Sequence, residues 1–400
     1  MTVTTLLDDA RALAPDLVAL RRDLHRIPER GLQLPKTQAR VLEALRGLGL
    51  EISTGESLSS VTAVLRGAHP GPAVLLRADM DALPVTEQST EPVRSEHEGV
   101  MHACGHDLHT AGLVGAARLL AARREEIAGS VVLMFQPGEE GDGGARLMIG
   151  EGVLDAAGER VVAAYGLHVA SALLPAGLLT CRAGTMLAAA DELFVTIRGR
   201  GGHGSMPHLA ADPVTVMAET ILALQSAVTR QFDALDPVVV SVGKVAAGTV
   251  NNVIPDTARI EATVRTFSEE AHAAVEPRLL RVVERVADAH GLTAEIEYAR
   301  GYPTTDNDPV EVERVERVIG ALTGGRGYLP LPRPLPGAED FSYVLQQVPG
   351  AYLGLGATPA GADPATAPYN HSPQATFDES ALPVGAAALA ALALDRLAQG

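Results

Sequence analysis

The chain has 400 residues, of which 46% are hydrophobic and 20% charged, with no tryptophan and a formal net charge of −17. That length exceeds one ordinary core and points to two domains, and the composition is that of a globular, water-soluble protein. The acidic balance argues against a nucleic acid or an anionic membrane as partner, since either needs a basic face.

Leu13, Leu17, Leu20 and Leu24 recur at helical spacing and predict a helix from about Thr5 to Ile27, closed by Pro28. Asp8 and Asp9 fall where the apolar stretch of a secretion signal would lie. A second helix is expected over Lys36 to Leu48. Val61–Leu65 and Ala73–Leu76 are short apolar runs bounded by Gly and Pro, and read as strands; the second leads into Arg77-Ala78-Asp79-Met80-Asp81.

The stretch Met101-His102-Ala103-Cys104-Gly105-His106-Asp107-Leu108-His109, expected as a loop, gathers thiol, imidazole and carboxylate. These are the donors of a divalent transition metal. The only other cysteine is Cys181, so no second Cys/His pair closes a structural zinc site. Distant residues must then complete the shell, which is how catalytic sites are built. Pairing Cys104 with Cys181 would destroy such a site, so a reducing, cytoplasmic compartment is expected.

A helix is expected from about Thr110 to Arg124, then a buried strand, Ser130–Phe135, ending at Gln136-Pro137-Gly138-Glu139-Glu140-Gly141. Adjacent carboxylates repel, and a metal relieves the repulsion if one ligates while the other serves a bound water as general base. Another apolar strand, Val161–Gly166, ends at Leu167-His168. Strands alternating with helices predict an α/β sheet whose strand ends carry the site.

Beyond Gly184 the predicted order is strand (Glu192–Arg198), helix (Asp212–Val228), two strands (Val238–Val245, Arg259–Arg265), helix (Ser268–His290) and strand (Thr293–Tyr298). That is a ferredoxin-like β-α-β-β-α-β unit, with Pro277 predicting a kink or two shorter helices. A helix (Val310–Leu322), a Pro-rich loop (Leu329–Pro336) and a strand (Ala351–Leu355) follow. The apolar run Leu382–Leu394 is shorter than the roughly 20 residues that span a bilayer and reads as a core helix. The layout is thus a catalytic domain in two pieces, residues 1–184 and 301–400, with a smaller domain, 185–300, inserted between them.

Arg77–Pro84, Met101–Thr110, Gln136–Gly144, Gly166-Leu167-His168, Gly202-His203-Gly204-Ser205-Met206-Pro207-His208, Asn252-Val253-Ile254-Pro255, Gly337–Phe341 and Asn370-His371-Ser372-Pro373 occur in this order. Together they resemble the metal-dependent amidohydrolases that include hippurate hydrolases, N-acyl-amino-acid amidohydrolases and auxin-conjugate hydrolases, relatives of aminoacylase and carboxypeptidase G. The resemblance covers essentially the whole chain. It implies a mostly parallel sheet flanked by helices, an inserted lid or dimerisation domain, and two divalent metals per subunit (Zn, Mn, Co or Ni). By the same resemblance Cys104, His106, Glu140, His168 and His371 match metal ligands, and Glu139 matches the catalytic base. Asp81 is expected to hydrogen-bond a ligand histidine, while Asp79 and Asp107 take no assigned role.

The resemblance further implies that His203 reaches a substrate carbonyl, often from a neighbouring subunit of a homodimer. Asn252 and Arg265 are candidates for the substrate's carboxylate end, Arg265 through a bidentate contact. The expected reaction is hydrolysis of an N-acyl amino acid, with a dipeptidase or carboxypeptidase as the alternative on the same machinery. A non-catalytic metal- or ligand-binding remnant would have lost Glu139 or a ligand, and all are present.

Overall fold

The computed structural model describes residues 3–399. The described residues divide into two compact units, one of residues 3–186, 306–333 and 340–399, the other of residues 187–305 and 334–339. The first unit carries an eight-stranded sheet in the order Glu51–Thr54, Val61–Arg66, Ala128–Gln136, His69–Asp79, Ala163–Pro175, Gly350–Thr358, Leu179–Cys181, Tyr328–Pro330. Its four central strands pair in parallel. Their apolar runs are buried almost without alternation, as strands covered on both faces must be.

The helices Val3–Arg26, His106–Ala121 and Ala381–Ala398 pack on one another. Gly115 lets them meet: a Cβ there would lie 2.8 Å from both Ala386 Cβ and Leu17 Cδ1. The C-terminal helix is long and apolar enough to cross a bilayer, but is mostly buried in this unit and serves as a core helix.

Two expectations are corrected here. The helix expected from Thr110 starts at His106, so half of the expected loop is its first turn. Gly105 precedes it at φ 86, a left-handed conformation, and a Cβ there would strike Val169 and Phe377. The Pro-rich loop contains an edge strand, Tyr328–Pro330, paired in parallel with Leu179–Cys181; proline is tolerated at an edge.

The second unit runs β-α-β-β-α-β. Its sheet, in the order Val238–Ala247, Thr257–Thr266, Ala189–Arg198, Thr293–Tyr302, is antiparallel throughout. Its helices are Pro213–Gln231 and Glu269–Ala289. The second helix passes through Pro277 without dividing, against the two-helix expectation. Pro277 lies on the exposed face, where the carbonyl left without its N–H can turn to water, while Val275, Leu279 and Val283 anchor the other face. The segment 334–339, expected in the catalytic domain, belongs instead to this unit. The Ala188 N–H donates to the Leu335 carbonyl at 3.1 Å, a tie between backbones that sequence pattern does not show.

His272 at the head of that helix meets Asp191 at 3.0 Å, and Asp191 also accepts from the Tyr298 hydroxyl at 2.7 Å and the Gly301 N–H at 2.9 Å. The hydrogen bond to Asp191, then that to Glu269, pushes the His272 pKa up from 6.5 to about 9. A raised folded-state pKa stabilises fully below the unfolded value and is lost as pH rises through the folded one. Urea unfolding of the wild type is therefore expected to lose about 1–3 kcal/mol between pH 6 and pH 10. His272→Gln should be less stable at pH 6 and should flatten that decline; an equal gap at both pH values would contradict the linkage.

Candidate metal centre

One helix start, one strand end, the middle of a further strand and two turns of the first unit deliver the expected ligands to one place. Cys104 comes from the turn before Gly105, His106 from the first residue of its helix, Glu139 and Glu140 from the loop after Ala128–Gln136. His168 lies on Ala163–Pro175, and His371 follows Asn370 in the left-handed region at φ 71.

Cys104 Sγ lies 3.2 Å from His168 Nε2 and 3.2 Å from His371 Nε2. His371 Nε2 is 3.3 Å and His106 Nε2 3.9 Å from Glu140 Oε1. Three overlapping groups share these residues: Cys104 with His106 and His168, Cys104 with Glu140 and His371, and His106 with Glu139 and Glu140. Within each group the donor atoms all lie within 4.8 Å of one another. The six residues therefore line one small space.

The donors fit a divalent transition metal. Thiol sulfur, three imidazoles and carboxylates surround one point, and the fully buried His106 ring makes no hydrogen bond through either nitrogen. An orphaned buried imidazole is costly unless something satisfies it. The protonation pattern agrees. Hydrogen bonds to Cys104 and then Glu140 push the His371 pKa up to about 10. Burial opposes a charge on His106, yet Asp79 and Cys104 outweigh it and hold its pKa well above the ordinary value. These protons occupy a field that a metal cation would fill in their place. Burial, then the neighbouring His109, pushes His168 down to about 3. His168 is thus neutral, as a ligand must be, and its Nδ1–H donates to the Val169 carbonyl at 2.8 Å, leaving Nε2 for the centre.

Asp81 approaches the expected histidine and carries a second task. Its Oδ1 lies 3.5 Å from His106 Nδ1, a long contact. Its two oxygens also accept the Glu139 and Glu140 N–H groups, each at 3.0 Å. One buried carboxylate thereby fixes the backbone of both glutamates.

Asp79 and Asp107 are engaged by other buried side chains. Asp79 accepts from Arg77 Nη1 at 2.6 Å and from His109 Nδ1 at 2.5 Å. Asp107 is held by Arg21 Nε at 2.8 Å and His25 Nδ1 at 2.7 Å. Burial raises the pKa of each, but the Arg77 guanidinium beside Asp79 and the Arg21 guanidinium beside Asp107 outweigh it and hold both carboxylates below their ordinary range. Arg77, Gln136 and Asp340 form a further buried network, with Gln136 Nε2 donating to Asp340 at 2.8 Å. It ties the ends of adjacent strands beneath the centre. Sequence reading missed His109 and Asn370, whose side chains bond backbone atoms around the centre; the one signal for His109 was its place three residues beyond His106.

His203, Asn252 and Arg265 belong to the second unit. His203 and Asn252 are exposed and adjacent, on the short ribbon pairing Gly202–His203 with Val253–Ile254. The Gly204 N–H donates to the Asn252 carbonyl at 2.8 Å. His203 Nδ1 accepts from the Ser205 N–H at 3.2 Å, so in the neutral ring the proton sits on Nε2, ready to donate. Arg265 is not brought beside them. Asn252 precedes the end of the strand where Thr257 pairs Arg198, whereas Arg265 pairs Ala190 near the other end. Its guanidinium is half-buried, with Nη1 donating to the Thr263 hydroxyl and the Val264 carbonyl, and burial lowers its pKa.

A family model described as Peptidase family M20/M25/M40 matches residues 75–395. Thermostable carboxypeptidase 1 of Saccharolobus solfataricus is 37% identical over 396 residues, covering 98% of this chain and 98% of that protein. N-acetylcysteine deacetylase of Bacillus subtilis is 37% identical over 386 residues, covering 96% and 97%. A solved structure of the Bacillus subtilis YXEP protein, described as a dinuclear metal-binding peptidase, superposes with a TM-score of 0.83 at 34% identity, covering 97% of this chain and 99% of that one.

Proposed function

The chain belongs to peptidase family M20/M25/M40, and from that premise we propose that it hydrolyses the amide bond of N-acyl amino acids, releasing a carboxylic acid and a free amino acid. The convergence of Cys104, His106, Glu140, His168 and His371 around Glu139 carries this reading. These five would hold two divalent metals from the set Zn, Mn, Co and Ni. Bound there, the metals supply Lewis acidity that polarises the amide carbonyl and lowers the pKa of a water. Glu139, 6% exposed, takes a proton from the attacking water and passes it to the leaving amine. Asp81 keeps the Glu139–Glu140 backbone fixed, so the base stays in register with the ligand beside it.

The carboxypeptidase relative supports a second reading at equal identity, peptide hydrolysis by the same groups. A panel of N-acetyl, N-benzoyl and indole-acyl amino acids beside dipeptides and longer peptides separates the two. N-acyl amino acids should show the highest kcat/KM; a clear preference for peptides would overturn the first reading in favour of the second.

His203 is proposed to donate from Nε2 to the developing oxyanion, its tautomer set by Ser205. His203→Ala should lower kcat by about 10²–10³ with metal content unchanged; wild-type kcat would remove it from the chemistry. We also propose a homodimer through the second unit, whose edge strand Val238–Ala247 leaves Val239 and Val245 exposed. Mixing His203→Ala with Glu139→Gln subunits should then restore activity if His203 serves its partner's centre.

A further inference from the structure

We propose that Asn370 and His109 are positioning residues that clamp the backbone of Val169 at its carbonyl and its N–H and so aim His168 at Cys104. This rests on the reading of Cys104, His168 and His371 as metal ligands and concerns groups that touch no reacting atom.

The Val169 N–H donates to His109 Nε2 at 2.8 Å. The Val169 carbonyl accepts from His168 Nδ1 at 2.8 Å and from Asn370 Nδ2 at 2.9 Å. The backbone of one residue is thus gripped at its donor and its acceptor, on the two peptide groups that flank Val169, and the ring beside it belongs to a ligand. Asn370 does more with the same carboxamide. Nδ2 also donates to the Cys104 carbonyl at 3.1 Å, and Oδ1 accepts from the Ser171 N–H at 2.9 Å and its hydroxyl at 3.1 Å. Asn370 immediately precedes His371, whose N–H donates to the Ala103 carbonyl at 2.9 Å. A single side chain therefore joins the segments bearing Cys104, His168 and His371.

The donor–acceptor pattern is fixed. Two carbonyls face Nδ2 and donors face Oδ1, so an aspartate at 370 would turn an anion toward two carbonyl oxygens. His109 is equally committed. Nε2 must offer its lone pair to Val169, so the proton is on Nδ1 and goes to Asp79 Oδ1 at 2.5 Å. Although His109 lies close to Asp79 and His106 in a metal-capable group, neither of its nitrogens has a lone pair left for a metal.

The test uses the full-length protein, stripped and titrated with Co(II). Affinity and the thiolate-to-cobalt charge-transfer band of Cys104 are followed together, with apo-protein melting as the folding control. Asn370→Ala and His109→Asn are each expected to weaken Co(II) binding by about 10–100-fold and to alter the band. Stoichiometry at saturating Co(II) and apo melting should stay close to wild type. His109→Gln, which can still present an acceptor to Val169, should stay within about threefold of wild type, and this rescue separates positioning from ligation. If Asn370→Ala does not fold, Asn370→Ser takes its place with the same expectation. Wild-type affinity and an unchanged band in both Asn370→Ala and His109→Asn overturn the proposal. Loss of a metal equivalent in every His109 variant overturns it in favour of His109 as a ligand. A wild type that binds no Co(II) overturns the ligand reading itself, and the clamp with it.

Discussion

Glu139→Gln should abolish measurable turnover, lowering kcat by about 10²–10⁴, the contribution of a positioned general base. The substitution keeps the shape of a side chain only 6% exposed and leaves the N–H that donates to Asp81 in place. The amide cannot accept and return the water's proton. Metal content should be unchanged, because Cys104, His106, Glu140, His168 and His371 remain. The alternative is a real one, since Glu139 lies within 4.8 Å of His106 and Glu140 donor atoms. Loss of metal together with activity would make Glu139 a ligand and reverse its division of labour with Glu140.

Cys104→Ser should weaken metal binding by more than the roughly 10–100-fold typical of losing a group that merely supports a ligand. The sulfur sits 3.2 Å from both His168 Nε2 and His371 Nε2, at the meeting point of two ligand groups. Burial raises the thiol's pKa, opposing the thiolate when no metal is bound, so metal binding must itself drive deprotonation. A serine hydroxyl ionises far less readily and is a harder, poorer ligand. The folded apo-protein should lose about 1 kcal/mol or less, because the hydroxyl retains hydrogen-bonding partners. Calorimetric titration with Zn(II) beside apo-protein melting checks both halves. Wild-type affinity would return Cys104 to the role of a packed thiol.

The strands that build this centre were legible because their apolar runs are flanked by glycine and proline and end in polar residues, as at Phe135–Glu140 and Tyr165–His168. The start of the helix at His106 was not. Gly105 offers no side-chain cap, and the Val169 and Phe377 side chains that leave no room for a Cβ there pack in from far along the chain. His109 and Asn370 were hidden for a related reason. Their partner is the backbone of Val169, 60 and 201 residues away, and a backbone atom leaves no mark on residue pattern. Pro277 did not divide its helix, because its cost depends on which helix face meets water, and tertiary packing decides that. Asn252 and Arg265, both candidates for a substrate carboxylate by residue type, lie toward opposite ends of their sheet, a separation only the strand register shows.

The most direct measurement of the central claim follows metal content and turnover in one preparation. The protein is stripped with a chelator, then titrated with Zn(II), Mn(II), Co(II) or Ni(II) while amine release from an N-acyl amino acid is recorded. Turnover should vanish on stripping and return to a plateau at two equivalents per chain with at least one of these metals. Full turnover by protein shown to be free of metal would contradict the account.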